Sequence, residues 1–236
     1  MPVRRGIAAA LAISGALLVA GAERLPDLDQ GEALARVDRV LARDRTYEHL
    51  KARIGHAPER CVPSDADHRL CQWIVSAGGP AWQELADALE TDRHLNLLCE
   101  LPMSSGERSP GSCSAHPRKS NRFRWHVPSN KGPRRANPAS IREAKARNRE
   151  HASAAMARAR DLVALCRLMG AVPDQCSQVD QTLQVCTWRT TSRTWGHGTL
   201  AAFIEAPRDK KIRLHCELPL DGRPRDADSC RAEIGS

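Results

Sequence analysis

Two stretches of the chain share one pattern: RCVPSDADHRLCQW at residues 60–73 and QCSQVDQTLQVCTW at residues 175–188. Each places two cysteines ten positions apart and a tryptophan two positions after the second cysteine. At a shift of 115 residues the match extends without a gap from 42–71 onto 157–186. A shift of 117 residues then aligns Cys-Glu-Leu-Pro at 99–102 with the same four residues at 216–219. We therefore interpret the chain as two copies of one module.

Eight of the nine cysteines fall at corresponding positions of the two modules, which is typical of a disulfide framework. The first two cysteines are 10 positions apart in both modules and the last two are 14 apart, whereas the middle gap is 28 in one and 30 in the other. The constant short spacings favour pairing first with second and third with fourth. The rival pairing joins the second cysteine to the third. The predicted disulfide cysteines are Cys61, Cys71, Cys99, Cys113, Cys176, Cys186, Cys216 and Cys230.

Hydrophobic periodicity predicts an α+β fold. An apolar stripe at helical spacing predicts a helix over 31–54, and a capping-box pattern at Ser140 and Glu143 predicts another over 141–169. Short strands are expected at the second cysteine of each module, followed by short helices over 81–90 and 199–206. Strict alternation then predicts the clearest strands, Leu95 to Leu101 and Ile212 to Leu218. Each module is thus predicted as helix-strand-helix-strand with a cysteine-closed tail.

The N-terminus has the features of a secretory signal peptide: two arginines, an uncharged apolar run from Ile7 to Val19, and small residues at Ala20-Gly21-Ala22. An uncleaved anchor is the alternative. We predict a signal peptide at 1–22, a first disulfide module at 23–113, a basic flexible linker at 114–138 and a second disulfide module at 139–236. After cleavage no stable membrane span is expected, because no second long apolar segment follows.

Arginine outnumbers lysine 30 to 6, which suggests a GC-rich bacterial genome. Together with the predicted signal peptide and the cysteine pattern, this predicts a periplasmic or secreted bacterial protein.

Positive charge is concentrated between the modules. From 114 to 150 there are eleven Lys and Arg against two Glu, a net charge of +9 in a chain whose total is +8. Cations interleaved with aromatic rings suit an anionic surface such as anionic lipid, lipopolysaccharide or another polyanion. A solvated linker whose aromatics pack on a neighbouring module is the alternative. The candidate contact residues are Arg118, Lys119, Arg122, Phe123, Arg124, Trp125, Lys131, Arg134 and Arg135.

Cys166 has no counterpart in the first module, where Lys51 occupies its position. It lies near Leu162, Leu165 and Met169 in a predicted helix, which favours a buried free thiol. An intermolecular disulfide and a catalytic nucleophile are the alternatives, and a nucleophile would need a nearby histidine and a lowered pKa.

Further residues outside the cysteine pattern have predicted structural roles. Glu100 with Arg108, and Glu217 with Arg225, recur in both and predict an ion pair that fixes each tail, with a ligand-binding charge as the alternative. Trp73 and Trp188 are expected in the core against a disulfide. His197, between two glycines, is expected in a turn.

No phosphate-binding loop, nucleophile elbow or metal-ligand spacing occurs in the sequence, so no cofactor or metal is expected. The leading hypothesis is an exported, non-enzymatic binding or structural protein of the cell envelope, whose partner is an anionic ligand or another protein. One alternative is an inhibitor of a secreted hydrolase, presenting the loops at 104–112 and 221–229. Another is a thiol-dependent enzyme that uses Cys166.

Overall fold

The computed structural model describes residues 30–118 and 138–235, which form an α+β fold with six helices and two four-stranded antiparallel sheets. The first module contains α1 (Gln30–Val40), α2 (Tyr47–Ile54), β1 (Arg60–Pro63), β2 (His68–Val75), α3 (Trp82–Ala88), β3 (Leu95–Pro102) and β4 (Cys113–Pro117). The second contains α4 (Pro138–Arg158), α5 (Leu162–Met169), β5 (Gln175–Gln178), β6 (Leu183–Thr190), α6 (His197–Phe203), β7 (Ile212–Pro219) and β8 (Cys230–Ile234). The predicted signal peptide, 1–22, lies outside the described residues.

The α+β class and the two tandem modules agree with the prediction, but each module has four strands where two were predicted. The strands that were missed are the sheet edges, which carry the first and the last cysteine of each module. The predicted cysteine-closed tail is therefore itself a strand. Residues 114–117, assigned from sequence to the linker, belong to β4 and pair with β3.

The single helices predicted over 31–54 and 141–169 are wrong, because each region contains a second helix N-terminus. The Thr46 hydroxyl accepts a hydrogen bond from the backbone N–H of His49 at 3.2 Å. Asp161 caps α5 in the same way, accepting from the N–H three residues later at 2.7 Å. Such caps satisfy backbone donors that a helix start leaves free.

Two predicted helix stops are confirmed, and one predicted helix start is wrong. Gly55 and Gly170 stop α2 and α5 as predicted, in left-handed conformations with φ of 93° and 67°. The predicted capping box at Ser140 is wrong as a helix start, because α4 already begins at Pro138. Proline suits the first position of a helix, where no intrahelical N–H bond is lost.

In each sheet the four cysteines form one row across the strands. In the first module Cys61 lies opposite Cys71, Cys71 opposite Cys99, and Cys99 opposite Cys113. The disulfides are Cys61–Cys71 and Cys99–Cys113, with Cα–Cα distances of 4.0 and 4.1 Å. The second module repeats the row with Cys176–Cys186 and Cys216–Cys230.

The row explains why the rival pairing does not occur. The two middle cysteines are neighbours, but joining them would leave the outer two unpaired, one at each edge of the sheet. With strands about 4.8 Å apart, those edges are separated by about 14 Å. A disulfide requires Cα atoms within about 7 Å. Pairing each edge strand with its neighbour is the only arrangement that oxidises all four.

One face of each sheet packs on its own module's helices. In the first module the inner residues of β2 and β3, including Trp73 and Leu97, are fully buried against α1, α2 and α3. The Trp73 indole N–H donates to the carbonyl of His56 at 3.2 Å. Trp188 donates to the carbonyl of Ala171 at 3.1 Å, so the two tryptophans occupy equivalent places.

A buried arginine ties the tail loop of the first module to the end of α1. Arg108 is 4% exposed, and its guanidinium donates to the carbonyls of Leu41 and Asp44 at 2.7 and 3.1 Å. Its other contacts include the Asp38 carboxylate at 2.8 Å. Glu100 instead accepts from the hydroxyl of Ser64.

Arg225 plays the same part in the second module. It is 1% exposed and donates to the carbonyls of Met156 and Ala159, which correspond to Leu41 and Asp44 of the first module. The predicted ion pairs with Glu100 and Glu217 are therefore wrong. Each arginine fixes its tail chiefly through backbone carbonyls, and Arg108 also forms an ion pair with Asp38.

The two modules pack directly on one another through α5. The outer face of the first sheet contributes Val62, Leu70 and Leu98 to a core shared with α5 and the second sheet. Two polar side chains of the first sheet form hydrogen bonds with backbone groups of the segment after α5. Gln72 accepts from the N–H of Val172 at 2.9 Å, and Asn96 donates to the carbonyl of Gly170 at 2.8 Å. The layers therefore run helices, sheet, helices, sheet.

This stacking accounts for Cys166. Helix α5 lies between two sheets, so Cys166 is 0% exposed and sits in the shared core. The corresponding helix α2 has a sheet on one side only, and its Lys51 is exposed. Leu168 likewise corresponds to Arg53 of α2. The unpaired cysteine is thus a core residue of the contact between the modules.

The far face of the second sheet is polar. Ile74 and Leu98 of the first sheet correspond to Arg189 and His215, and His215 lies 3.7 Å from the carboxylate of Glu233. Polar side chains of this kind are typical of the solvated face of an antiparallel sheet whose other face packs on the core.

Replacing Cys166 with lysine should destabilise the protein by about 3–5 kcal/mol, because it places an unpaired charge in the core between the modules. Cys166→Ala should cost only about 1 kcal/mol. At the corresponding exposed position, Lys51→Ala should change the free energy of unfolding by less than about 0.5 kcal/mol. Denaturant unfolding curves measure all three, and a tolerated Cys166→Lys would contradict the stacked arrangement.

Candidate functional site

The predicted anionic-contact residues fall almost entirely outside the described residues. Arg118 is the exception: it is exposed just after β4, and its backbone N–H donates to the carbonyl of His94 at 2.7 Å. The remaining predicted contacts, which stay predictions, are Lys119, Arg122, Phe123, Arg124, Trp125, Lys131, Arg134 and Arg135.

The basic character continues from the predicted linker into α4. This helix has 21 residues, and between Arg142 and His151 every side chain but that of Ala144 is exposed. It carries five cations against two glutamates: Arg142, Lys145, Arg147, Arg149 and Arg158 against Glu143 and Glu150. Part of the positive charge counted over residues 114–150 is therefore presented on a regular helix.

A groove runs between α4 and α6, which we name the α4–α6 groove. Two adjoining cavities of about 690 and 480 Å³ form it, and they share Asn148, Gly198, Ala202 and Arg208. Small residues of both helices make its floor, because alanine and glycine leave space between the backbones. The further floor residues are Ala152, Ala155 and Ala201.

The groove is lined by cations and neutral hydrogen-bonding groups. Lys145 and Arg208 supply the positive charge, with Asn148, His151, Ser192 and Thr199 as polar neighbours. Among the described lining residues the one carboxylate is that of Glu205, which forms an ion pair with Arg149 of α4. The lining therefore leaves a net positive charge, which suits an anionic group.

Larger side chains occupy the corresponding positions of the first module. There Arg36, at the position of His151, donates to the carbonyl of Ala88 at 3.2 Å and to the carboxylate of Glu90 at 2.8 Å. At the same 115-residue shift, Trp82, Gln83 and Asp87 stand where the second module has His197, Gly198 and Ala202. The smaller residues open the groove in the second module.

His197 positions one wall of the groove. It is 1% exposed and is the first residue of α6, so the prediction of a turn is wrong. Its Nε2 lies 2.9 Å from the carbonyl of Arg208, and its Nδ1 lies 3.1 Å from the hydroxyl of Thr190. The Trp82 indole makes the equivalent bond in the first module, to the carbonyl of Arg93 at 3.2 Å. His197 thereby holds the loop that carries Arg208.

Cys166 is the free cysteine among the described residues. Burial, followed by the nearby charge of Asp161, raises the pKa of its thiol well above the ordinary value. A nucleophilic cysteine needs an accessible thiolate, so this setting suits a core residue. An intermolecular disulfide through a fully buried sulfur would require the modules to separate.

The loops predicted for hydrolase inhibition, 104–112 and 221–229, are anchored at both sides. Each loop contains a buried arginine, Arg108 or Arg225, and is followed directly by a disulfide cysteine, Cys113 or Cys230. Rigid loops suit an inhibitor, and the assignment remains a prediction.

Within 30–118 and 138–235, no three His, Cys, Asp or Glu side chains are grouped so as to hold a metal ion. No helix in this part of the chain is long and apolar enough to cross a membrane. In comparisons with known proteins, no family model, curated protein or solved structure matches the chain.

Sequence reasoning missed the groove residues Asn148, His151, Ser192, Thr199 and Arg208. The usable signal was the alignment of the two modules, where large residues of the first are replaced by glycine and alanine in the second. The contact between α4 and α6 that turns these replacements into a groove has no local sequence pattern.

One buried histidine lies at the contact between the modules. The ring of His116, on β4, packs at 5.8 Å from that of Trp195, and its Nε2 lies 3.3 Å from the hydroxyl of Ser114. Burial, followed by the charge of Arg167, lowers its pKa from 6.5 to about 4. The folded protein therefore holds this side chain neutral at pH values where the unfolded chain binds a proton.

The free energy of unfolding should fall by up to about 3 kcal/mol as the pH drops from about 6.5 to about 4, because the unfolded state gains the proton first. Above pH 6.5 both states are neutral at His116 and the contribution is flat. His116→Gln should lack this component, whereas the control His94→Gln, at an exposed position, should keep it. Denaturant titrations between pH 7 and 4 measure the difference, and equal pH profiles for parent and His116→Gln would refute the assignment.

Proposed function

We propose that this chain is an exported, non-enzymatic binding protein of the bacterial cell envelope, and that it binds anionic lipid headgroups, lipopolysaccharide or another polyanion. The single observation that carries the proposal is the α4–α6 groove, a cation-lined cavity on the helix that directly follows the basic linker. The charge is thus localised where a shaped cavity exists.

The groove and the linker make complementary contributions to binding. Lys145 and Arg208 offer fixed charges beside neutral donors, which suits an anionic group with oxygen acceptors. Residues 119–137 of the predicted linker supply further cations together with Phe123 and Trp125 within 19 residues of chain. Cations attract the anionic surface, and aromatic rings insert at a lipid interface or stack.

The disulfides support an extracytoplasmic location. All eight cysteines of the two rows are oxidised, and such frameworks persist in secreted and periplasmic proteins but are rare where glutathione keeps thiols reduced. The predicted signal peptide at 1–22 and the arginine-rich composition support a bacterial periplasmic or secreted protein. This compartment contains the anionic headgroups and lipopolysaccharide that the proposal requires.

Binding should be tested with lipopolysaccharide and with phosphatidylglycerol vesicles, using phosphatidylcholine vesicles as the neutral reference. The affinity should fall steeply between about 50 and about 200 mM salt, since each contact releases counterions or is screened. Lys145→Glu/Arg208→Glu should weaken binding at least about tenfold, because it reverses both cations of the groove.

The matched control is Arg39→Glu/Lys51→Glu, which makes the same change in net charge at exposed positions of the first module. It should alter the affinity by no more than about threefold. Deletion of 119–135 measures the share of the linker. Binding that ignores salt, or equal losses in the groove variant and its control, would overturn the proposal.

A further inference from the structure

The strand β8 lies at an edge of its sheet, so it pairs with a neighbouring strand on one side only. The second sheet has the order β5-β6-β7-β8, so within the described chain no strand pairs with the far side of β8. Unpaired edges are sites of strand addition unless a protein protects them. Only those residues of β8 whose backbone N–H and carbonyl groups point outward can pair with an added strand.

The register and the flanking bonds settle this direction. Glu217 donates its N–H to the carbonyl of Ser229 at 3.0 Å, and Gly235 donates to the carbonyl of Lys211 at 2.9 Å. Hydrogen-bonded and non-hydrogen-bonded pairs alternate along an antiparallel ladder. Since β8 continues this register with Leu214 opposite Ala232, the pairs facing β7 are those of residues 231 and 233. The N–H and carbonyl groups of 230, 232 and 234 therefore face the free edge.

The corresponding edge in the first module is blocked. At the 117-residue shift, Ile234 corresponds to Pro117, which lies opposite Leu95 at the end of β4. The same alternation places the nitrogen of Pro117 on the outer edge, where its ring removes a donor and obstructs an added strand. Helix α1 also packs over β4, and Cys113 and Ala115 are buried. In the part of the chain that the structure describes, β8 has no proline, and its edge residues Cys230, Ala232 and Ile234 are only partly buried or exposed.

The side chains of β8 are complementary to a second copy of the same strand. Antiparallel pairing with Ala232 opposite Ala232 places Arg231 of each chain opposite Glu233 of the other, in the non-hydrogen-bonded positions where side chains approach most closely. On the other face, Ile234, which is 52% exposed, meets the half-buried Cys230. Self-complementarity of this kind is what a two-fold interface requires.

We propose that the chain forms a two-fold symmetric homodimer through antiparallel pairing of β8 with β8 of a second copy, joining the two second-module sheets into one eight-stranded sheet. The two-fold axis passes beside Ala232. The interface consists of backbone bonds from residues 230, 232 and 234, two Arg231–Glu233 pairs on one face and the Ile234 contacts on the other. Cys166 takes no part, so the dimer requires no disulfide between the two chains.

Sedimentation equilibrium over about 1–200 µM protein tests for the dimer, which a short strand-to-strand interface should hold with micromolar affinity. Ile234→Pro reproduces the residue found at this position in the first module and removes an outward N–H only. It should raise the dimer dissociation constant at least about tenfold while the four disulfides and the unfolding midpoint remain. A chain that stays monomeric up to about 200 µM overturns the proposal.

Charge reversal tests the register itself. Arg231→Glu and Glu233→Arg each place like charges opposite one another in a homodimer, so each variant alone should dimerise about tenfold more weakly. Mixed together, they restore two opposite-charge pairs and should form a heterodimer with an affinity within about threefold of the parent. Fluorescence transfer between differently labelled chains measures this.

The control is Arg189→Glu, on the same outer face but on the interior strand β6, which should leave dimerisation within about twofold of the parent. Variants that dimerise like the parent, or a mixture that gains nothing over its components, would overturn the β8 pairing.

Discussion

The row of four cysteines across each sheet is the constraint on which the module depends. Because the cysteines occupy one register line, a one-residue slip in any strand would move a cysteine to the opposite face and break the row. Each bridge thus locks an edge strand, only four or five residues long, to a longer neighbour. The tail is also held by a buried arginine, Arg108 or Arg225, which donates hydrogen bonds to backbone carbonyls at the end of the first helix of its module. Sheet register and helix placement are coupled through these two features.

The modules share this frame but differ wherever their neighbours differ. Helix α5 is covered on both sides and carries Cys166, whereas α2 is covered on one side and carries Lys51. The first sheet is covered on both faces and has Leu98, whereas the second sheet has a polar outer face with His215 at that position. Between α4 and α6 the second module has smaller side chains than the first, and these leave the groove open. The functional candidates are therefore found where the two copies disagree, and the shared residues maintain the frame.

Much of the fold could be predicted because its signals are local. Cysteine spacing favoured the observed disulfides, and alternation at 95–101 located the central strand. Prediction failed where the deciding contact is distant in sequence. A continuous apolar stripe concealed the helix break before Thr46, since only the cap reveals it. Arg108 was assigned to Glu100 by proximity, whereas its partners lie more than sixty residues away on the turn after α1. The groove required the packing of α4 on α6, for which no single segment carries a signal.

The position of α5 has a consequence for the order in which the protein is completed. A chain is synthesised N-terminus first, so the sheet of the first module can form before α5 is available. During that interval Leu70 and Leu98 face water on the uncovered side of the sheet. The incomplete protein therefore exposes an apolar sheet face until about residue 169 has been synthesised. Truncated chains ending between the modules would remain permanently in this state.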